Sequence, residues 1–98
     1  MSRITDPLRK QILRFLKGSK TWRHKGYLLR KKWRGEDGFF MPSTVGRTLR
    51  KLESEGEIAV RDDKYGKSVE YKYLEGKEKE EYTPKSERPE TLFNEYNY

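Results

Sequence analysis

One short stretch of the chain places basic side chains at helical spacing. Arg47, Arg50 and Lys51 fall at positions i, i+3 and i+4, and Ser43 lies one helical turn before Arg47. Because successive residues of an α-helix are about 100° apart, these four side chains would share one face. Guanidinium, ammonium and hydroxyl groups all donate hydrogen bonds to anions, so this face has the chemistry to bind a polyanion.

The opposite face of the same stretch is apolar. Val45, Leu49 and Leu52 fall at i, i+4 and i+7, which is the pattern of a helix packed on a core. Pro42 suits the first turn of a helix, and Gly56 suits the position just beyond its end. The sequence therefore predicts one amphipathic helix between Pro42 and Gly56, held by its apolar face and with its basic face outward.

The charge of the whole chain is also consistent with binding to a polyanion. Of the 98 residues, 40% are charged and only 32% are hydrophobic, which predicts one domain with a small core. The formal net charge is +7, and it is unevenly distributed. Residues 1–74 hold 19 lysines and arginines against 9 acidic residues, whereas residues 75–98 hold 4 against 7. The basic surplus lies where a folded domain is expected, which favours a nucleic acid as the partner.

The sequence gives little support for an enzymatic function. The chain has no cysteine, which excludes a disulfide framework and a thiolate metal site. Its single histidine, His24, has no carboxylate nearby in sequence, and no phosphate-binding glycine loop, metal-ligand set or nucleophile motif is present. We therefore expect no catalytic residues, no metal and no cofactor, and we interpret His24 as a helix cap or a residue at the edge of the core.

The sequence also favours a particular cellular location. No apolar run approaches the ~20 residues that span a bilayer. The N-terminal segment is amphipathic rather than apolar, unlike a signal peptide. We expect a cytoplasmic protein, associated with the nucleoid when it is bound to DNA.

The remaining elements follow from periodicity and turn residues. Helical periods, alternating strand patterns and polar loops containing glycine each indicate a different element. We expect a first helix from Thr5 to Gly18, a second helix from His24 or Lys25 to Trp33, a turn over residues 35–38, and a β-hairpin with strands over residues 57–61 and 69–73.

Beyond the predicted hairpin the composition changes. Residues 75–98 combine mixed charges with few apolar side chains, which predicts a flexible or loosely docked tail. The last residues are an exception, because Leu92, Phe93, Tyr96 and Tyr98 are apolar or aromatic. These four side chains could dock on the domain, on a partner or across a dimer.

The order of helix, short strand or turn, helix, loop, helix and hairpin resembles the winged helix-turn-helix superfamily. The stretch from Pro42 to Ile58 is similar to that family's recognition helix leading into the wing. Residues 22–26 and 68–73 resemble segments of small winged-helix proteins from phages and prokaryotic genomes. The resemblance implies an α+β fold, with three helices and a C-terminal β-hairpin wing over residues 1–74 and the charged C-terminal tail over residues 75–98.

The resemblance also implies which residues contact DNA. The third helix would enter the major groove, where Arg47 and Arg50 would contact base edges, since arginine can donate two hydrogen bonds to guanine. Ser43 and Thr44, near the helix start, would bind phosphate together with the free amides there. Lys51 would also meet phosphate.

Two further regions of the protein would contact the DNA backbone. The tip of the wing carries Lys64, Tyr65 and Lys67, which could lie along the backbone or the minor groove. The basic cluster of the second helix includes Arg30 and Lys31, which would position the protein on the duplex.

The function implied by the resemblance is sequence-specific or semi-specific binding of double-stranded DNA, in the regulation of transcription. Two alternatives stay open. One is a protein-interaction module, whose partner is a polymerase, a replication factor or a second copy bound through the C-terminal tail. The other is binding of RNA or single-stranded nucleic acid, which uses aromatic side chains beside cations.

Overall fold

Four helices and five short strands make up the part of the chain that a computed structural model describes, residues 6–87. In chain order these elements are α1 (Asp6–Ser19), β1 (Arg23–His24), α2 (Lys25–Arg30), β2 (Arg34–Gly35), β3 (Gly38–Phe39), α3 (Pro42–Ser54), β4 (Ile58–Asp62), β5 (Val69–Tyr73) and α4 (Lys77–Glu81), with a final 3-10 turn at Lys85–Glu87. The fold is of the α+β class, as the sequence predicts. Within residues 6–87, no helix has the length and apolar character needed to cross a bilayer.

The sheet joins the predicted hairpin to the start of α2. Strands β4 and β5 pair antiparallel, with Ile58 opposite Tyr73 and Asp62 opposite Val69. Strand β1 pairs antiparallel with the other edge of β5, so the order in the sheet is β1-β5-β4. A lone hairpin is marginal in water, and the β1 pairing ties this one to the helices.

One core lies between the helices and the sheet. Val45, Leu49 and Leu52 of α3 are fully buried, as the helical period predicts. Each buried leucine or valine contributes about 1.5–3 kcal/mol relative to an exposed one. The whole cluster consists of Leu8, Ile12, Leu16, Leu28, Trp33, Val45, Leu49, Leu52, Ile58 and Tyr71.

Helix α1 continues past the glycine that was expected to end it. Gly18 stays within the helix, and Lys20 adopts the left-handed backbone conformation instead (φ 56°). The N–H of Lys20 donates to the carbonyl of Leu16 (3.3 Å), and the hydroxyl of Ser19 donates to the carbonyl of Phe15 (2.9 Å). These bonds satisfy carbonyls that the helix end leaves free, so a glycine is not required there.

Helix α2 is shorter than predicted and ends at Arg30 rather than at Trp33. Lys31 has an extended backbone (φ −65°, ψ 143°), and its N–H still donates to the carbonyl of Tyr27 (2.9 Å). The chain then carries Trp33 into the core, where it is 1% exposed and its Nε1–H donates to the carbonyl of Leu28 (2.8 Å). Burial of a large indole ring outweighs the helical hydrogen bonds that this turn gives up.

The predicted turn over residues 35–38 is a small hairpin. Strands β2 and β3 pair antiparallel, with Arg34 opposite Phe39. Gln11 of α1 holds this hairpin in place, because its side-chain amide donates to the carbonyl of Arg34 (2.7 Å) and its side-chain carbonyl accepts from the N–H of Arg34 (3.2 Å). The connection between α2 and α3 is therefore an ordered element.

The first part of the C-terminal segment packs against α3 and β4. Glu53 of α3 is only 6% exposed, and its carboxylate accepts hydrogen bonds from the hydroxyl of Tyr82 and from the N–H of Lys85 (2.7 Å). The Tyr82 hydroxyl also accepts from the N–H of Val60 (3.1 Å), at the edge of the sheet. These bonds supply donors to a buried carboxylate, whose burial would otherwise be costly.

The predicted tail over residues 75–98 thus begins with a docked segment. Up to residue 87 it contains α4, whose residues are exposed, followed by the bonds from Tyr82 and Lys85 to Glu53. The cluster of Leu92, Phe93, Tyr96 and Tyr98 lies outside the described residues.

Candidate nucleic-acid interface

The outer face of α3 is exposed along its length. Ser43, Arg47, Arg50 and Lys51 lie on the solvent side, opposite the buried apolar stripe, as the sequence predicts. None of the three cations forms an ion pair with another residue of the 6–87 segment. Their charges are therefore available to an external anion.

The N-terminus of α3 is open. Met41 precedes the helix with an extended backbone (φ −73°, ψ 150°), and no side chain in the described part of the chain caps the first turn. Pro42 occupies the first helical position, so Ser43 and Thr44 carry the first backbone N–H groups, which have no partner within the helix. Thr44 is half-buried, and its carbonyl accepts from the hydroxyl of Thr48 (2.9 Å). Two amides and one serine hydroxyl thus lie together at this end.

Helix α2 adds a further cation to this face. Lys25 lies one turn before Leu29, and a cleft between α2 and α3, with a volume of about 350 Å³, is lined by both of them together with Ser43, Arg47 and Arg50. None of the described residues that line this cleft is acidic. We call the following five residues the α3 surface: Lys25, Ser43, Arg47, Arg50 and Lys51.

A second cleft, of about 370 Å³, continues from α3 towards the sheet. Lys25 and Arg50 border it as well, together with Glu53, Tyr71 and Lys85. Burial raises the pKa of the Tyr71 hydroxyl, the charge of Arg50 opposes this rise, and the charge of Glu53 adds to it. Tyr71 therefore stays neutral under Arg50 at physiological pH, and the arginine keeps its positive charge available.

The loop of the β4–β5 hairpin is organised by one carboxylate. Oδ1 of Asp63 accepts from the N–H groups of Tyr65 (3.0 Å) and Lys67 (3.1 Å), and the N–H of Asp63 donates to the carbonyl of Ser68 (3.0 Å). Desolvation raises the pKa of the Asp63 carboxyl, but the hydrogen bonds from Lys67, His24 and Tyr65 outweigh it, so the pKa lies below its ordinary value. The charged carboxylate thus fixes the shape of the loop.

His24 connects this loop to α2. Its Nδ1 accepts from the N–H of Gly26 (3.0 Å), which confirms the predicted role of His24 as a helix cap. Since Nδ1 accepts, Nε2 carries the proton and donates to Oδ2 of Asp63 (3.2 Å). Lys25 follows His24 directly, so this contact holds the hairpin loop close to the α3 surface.

The tip of the hairpin presents the three residues that the sequence singled out. Lys64, Tyr65 and Lys67 are exposed, and the Tyr65 side chain is 71% exposed. The Nζ of Lys64 lies 5.2 Å from the centre of the Tyr65 ring. Two cations and a hydroxyl donor thus project from an ordered loop.

The predicted basic cluster of α2 is divided between two sides of the helix. Arg30 is exposed on the outer side of α2. The Nζ of Lys31 lies 4.8 Å from the centre of the Phe15 ring and 5.5 Å from that of Trp33, on the side of α1. Lys31 therefore does not lie on the α3 surface, contrary to the prediction that it joins the other DNA-contacting residues.

Lys25 is the residue of the α3 surface that the sequence analysis missed. It stands four residues before Leu29, which faces α3 and lies 3.6 Å from a Cβ placed on Gly46. A helical period that puts Leu29 against α3 also puts Lys25 there, so this spacing was the available signal.

Comparison with known proteins gives no relative for this chain: no protein-family model, no curated protein and no solved structure matches it.

Proposed function

We propose that this protein is a winged-helix domain that binds double-stranded DNA, with α3 in the major groove and the β4–β5 hairpin as a wing on the backbone. The observation that carries the proposal is the α3 surface, where three exposed cations of α3 and the half-buried Lys25 of α2 lie beside a cleft between the two helices. Among the described residues that line this cleft there is no carboxylate. The major groove of B-DNA, about 12 Å wide, admits an α-helix. Occupancy of a duplex site by this surface would regulate transcription.

The order of the elements supports the winged-helix assignment. Apart from the small β2–β3 hairpin, the chain from α1 to β5 runs through a helix, a short strand, two helices and a β-hairpin, and α4 and the 3-10 turn follow. Pairing of β1 with β5 places the long hairpin beside the start of α2, where a wing has to lie to reach the same duplex as α3. The β2–β3 hairpin occupies the connection between α2 and α3.

Each residue of the α3 surface has a role in this proposal. Arg47 and Arg50 reach base edges, where a bidentate contact to guanine gives about 1–3 kcal/mol of discrimination. Lys25 and Lys51 lie to either side of them and neutralise phosphates, which supplies affinity without sequence preference. The first-turn amides and the Ser43 hydroxyl bind one phosphate, helped by the positive end of the helix dipole.

The hairpin supplies a second set of backbone contacts. Lys64 and Lys67 neutralise phosphates beside the groove that α3 enters, and the Tyr65 hydroxyl donates to a phosphate oxygen. The bond between His24 and Asp63 keeps this loop at a fixed position relative to Lys25. The wing therefore adds positioning rather than sequence readout.

A salt-series titration of the full chain tests the proposal. Labelled duplex DNA of random sequence is titrated at several salt concentrations, and single-stranded DNA and RNA of the same length serve as competitors. We expect the logarithm of the binding constant to fall linearly with the logarithm of salt, with a slope of about −0.9 for each phosphate neutralised. Duplex DNA should be preferred over both competitors.

Two outcomes would overturn the proposal. Absence of duplex binding at low salt would make the cations of α3 an ordinary solvated face. A clear preference for RNA or single-stranded DNA would replace the proposal with single-strand recognition.

A further inference from the structure

A second basic site lies on the other side of α2. Helix α1, the start of β1 and the turn from α2 to β2 enclose a groove of about 650 Å³, which we call the aromatic groove. Five cations line it: Lys10, Arg14, Arg23, Lys31 and Lys32. Within residues 6–87, no acidic residue lines the groove and no carboxylate forms an ion pair with any of the five.

The floor of this groove is apolar. Phe15 and Trp33 line it and contact each other edge to face, with ring centres 5.8 Å apart. The Nζ of Lys31 lies 4.8 Å from the centre of the Phe15 ring, and the guanidinium carbon of Arg23 lies 5.3 Å from it. Contact with ring faces orders these two cations without neutralising their charge.

Hydrogen bonds fix part of the wall before any ligand arrives. Arg23 is held in place because its Nε donates to the hydroxyl of Ser19 (3.1 Å). Gln11 bonds both backbone groups of Arg34, and the indole N–H of Trp33 bonds the backbone within the core. These bonds reduce the entropy that a ligand would lose in ordering Arg23 and the turn around Trp33.

The chemistry of the groove identifies its partner. The Trp33 ring is 1% exposed and Phe15 already carries two cations, so neither ring offers a free face on which a nucleic-acid base could stack. An extended peptide needs no free ring face. Its carboxylates pair with the cations, and its apolar side chains contact the exposed part of the half-buried Phe15 and the aliphatic stems of Lys10 and Lys32.

We propose that the aromatic groove binds a short acidic peptide segment with interspersed apolar residues, supplied by a protein partner. This inference goes beyond the proposed DNA binding and does not depend on it, because the aromatic groove and the clefts beside α3 share no lining residue. The protein would then join a duplex held on one side of α2 to an acidic protein segment held on the other side.

Direct binding of a defined probe tests this site. A short fluorescein-labelled peptide, in which glutamates are interspersed with leucine and phenylalanine, is titrated with the full chain by fluorescence anisotropy. The Arg14→Glu/Lys31→Glu variant is compared with Arg47→Glu/Arg50→Glu, which changes the net charge by the same amount. We expect the groove variant to lose at least about tenfold in affinity and the α3 variant to lose less than about threefold.

A second peptide and a map of the bound state complete the test. Replacing the leucines and phenylalanines of the probe with serine should weaken binding by about tenfold, since the apolar floor then has no ligand. In the amide NMR spectrum of the unaltered protein, peptide should shift the signals of residues 10–19 and 31–34 most.

Three results would overturn the inference. Equal losses in the two double variants, or equal affinity for the serine peptide, would show that the peptide senses only net charge. Tighter binding of single-stranded DNA in the same groove, displacing the peptide, would assign the site to nucleic acid.

Discussion

The α3 surface and the aromatic groove lie on different sides of the short helix α2, and they differ in what surrounds their cations. Arg47 and Arg50 project from a protruding helix beside a serine hydroxyl and free amides. Lys31 and Arg23 instead lie over aromatic rings. The difference shows that a basic surplus in a sequence is not one surface, because the geometry around each cation decides which anion it can bind.

Both surfaces rest on the same core, so the largest effect should come from disrupting it. Leu49 is fully buried directly behind the α3 surface. Leu49→Ala should lower the free energy of unfolding by about 2–5 kcal/mol, because it removes buried apolar area and leaves a cavity. Urea unfolding followed by circular dichroism measures this change. Met41→Ala, at a position 67% exposed, is the control and should change stability by less than about 0.5 kcal/mol.

Arg47→Ala sharpens the comparison between the surfaces themselves. At a preferred duplex site we expect affinity to fall by about 1–3 kcal/mol and discrimination at one base pair to relax, because a bidentate contact is lost. Arg14→Ala is the matched control, since it removes one exposed helical arginine from the aromatic groove. Competition titrations at fixed salt measure both variants. An unchanged affinity for Arg47→Ala would place base recognition elsewhere.

The docked C-terminal segment bonds Glu53 of α3, and none of its described residues lines the aromatic groove. Tyr82→Phe removes the hydroxyl that donates to Glu53 and accepts from Val60. Loss of a donor to a buried carboxylate should cost about 1–3 kcal/mol of stability. Tyr65→Phe, at the exposed hairpin tip, should leave thermal unfolding unchanged. If both variants melt at the same temperature as the parent, the segment does not stabilise α3.

The smallest effect is expected at Gly46, and there it should be stabilising. A Cβ at this helical position would lie 3.6 Å from Cδ2 of Leu29 and 3.8 Å from Nη1 of Arg50, which is ordinary contact. Gly46→Ala should therefore add about 0.5–1 kcal/mol by raising helix propensity. Gly56→Ala should do the reverse, since Gly56 has a φ of 80°. Duplex affinity lost in Gly46→Ala despite a more stable fold would show that DNA approaches the helix backbone here.

The features that the sequence predicts well are local. Val45, Leu49 and Leu52 face inward and Arg47 and Arg50 face outward because one helical period determines both faces. The β4–β5 hairpin likewise follows from two alternating runs around a polar loop. In these stretches each residue's environment depends mostly on its near neighbours in the chain.

The features that were missed depend on contacts between distant residues. Glu53 is buried because Tyr82 and Lys85 return to it, and nothing within α3 indicates this. Trp33 leaves the helical pattern because the core has room for its ring, which moves Lys31 to the side of α1. Removal of residues 75–98 would therefore also remove part of the folded domain, and binding experiments should use the full chain.

A paired titration of duplex DNA tests the central claim, that the two basic surfaces have separate partners. Arg47→Ala/Arg50→Ala and Arg14→Ala/Lys31→Ala each remove two positive charges, and both are titrated at fixed salt alongside the unaltered chain. We predict that the first variant loses more than about tenfold in duplex affinity and that the second loses less than about threefold. Equal losses would contradict the account, because they would show that duplex DNA responds to net charge and not to the α3 surface.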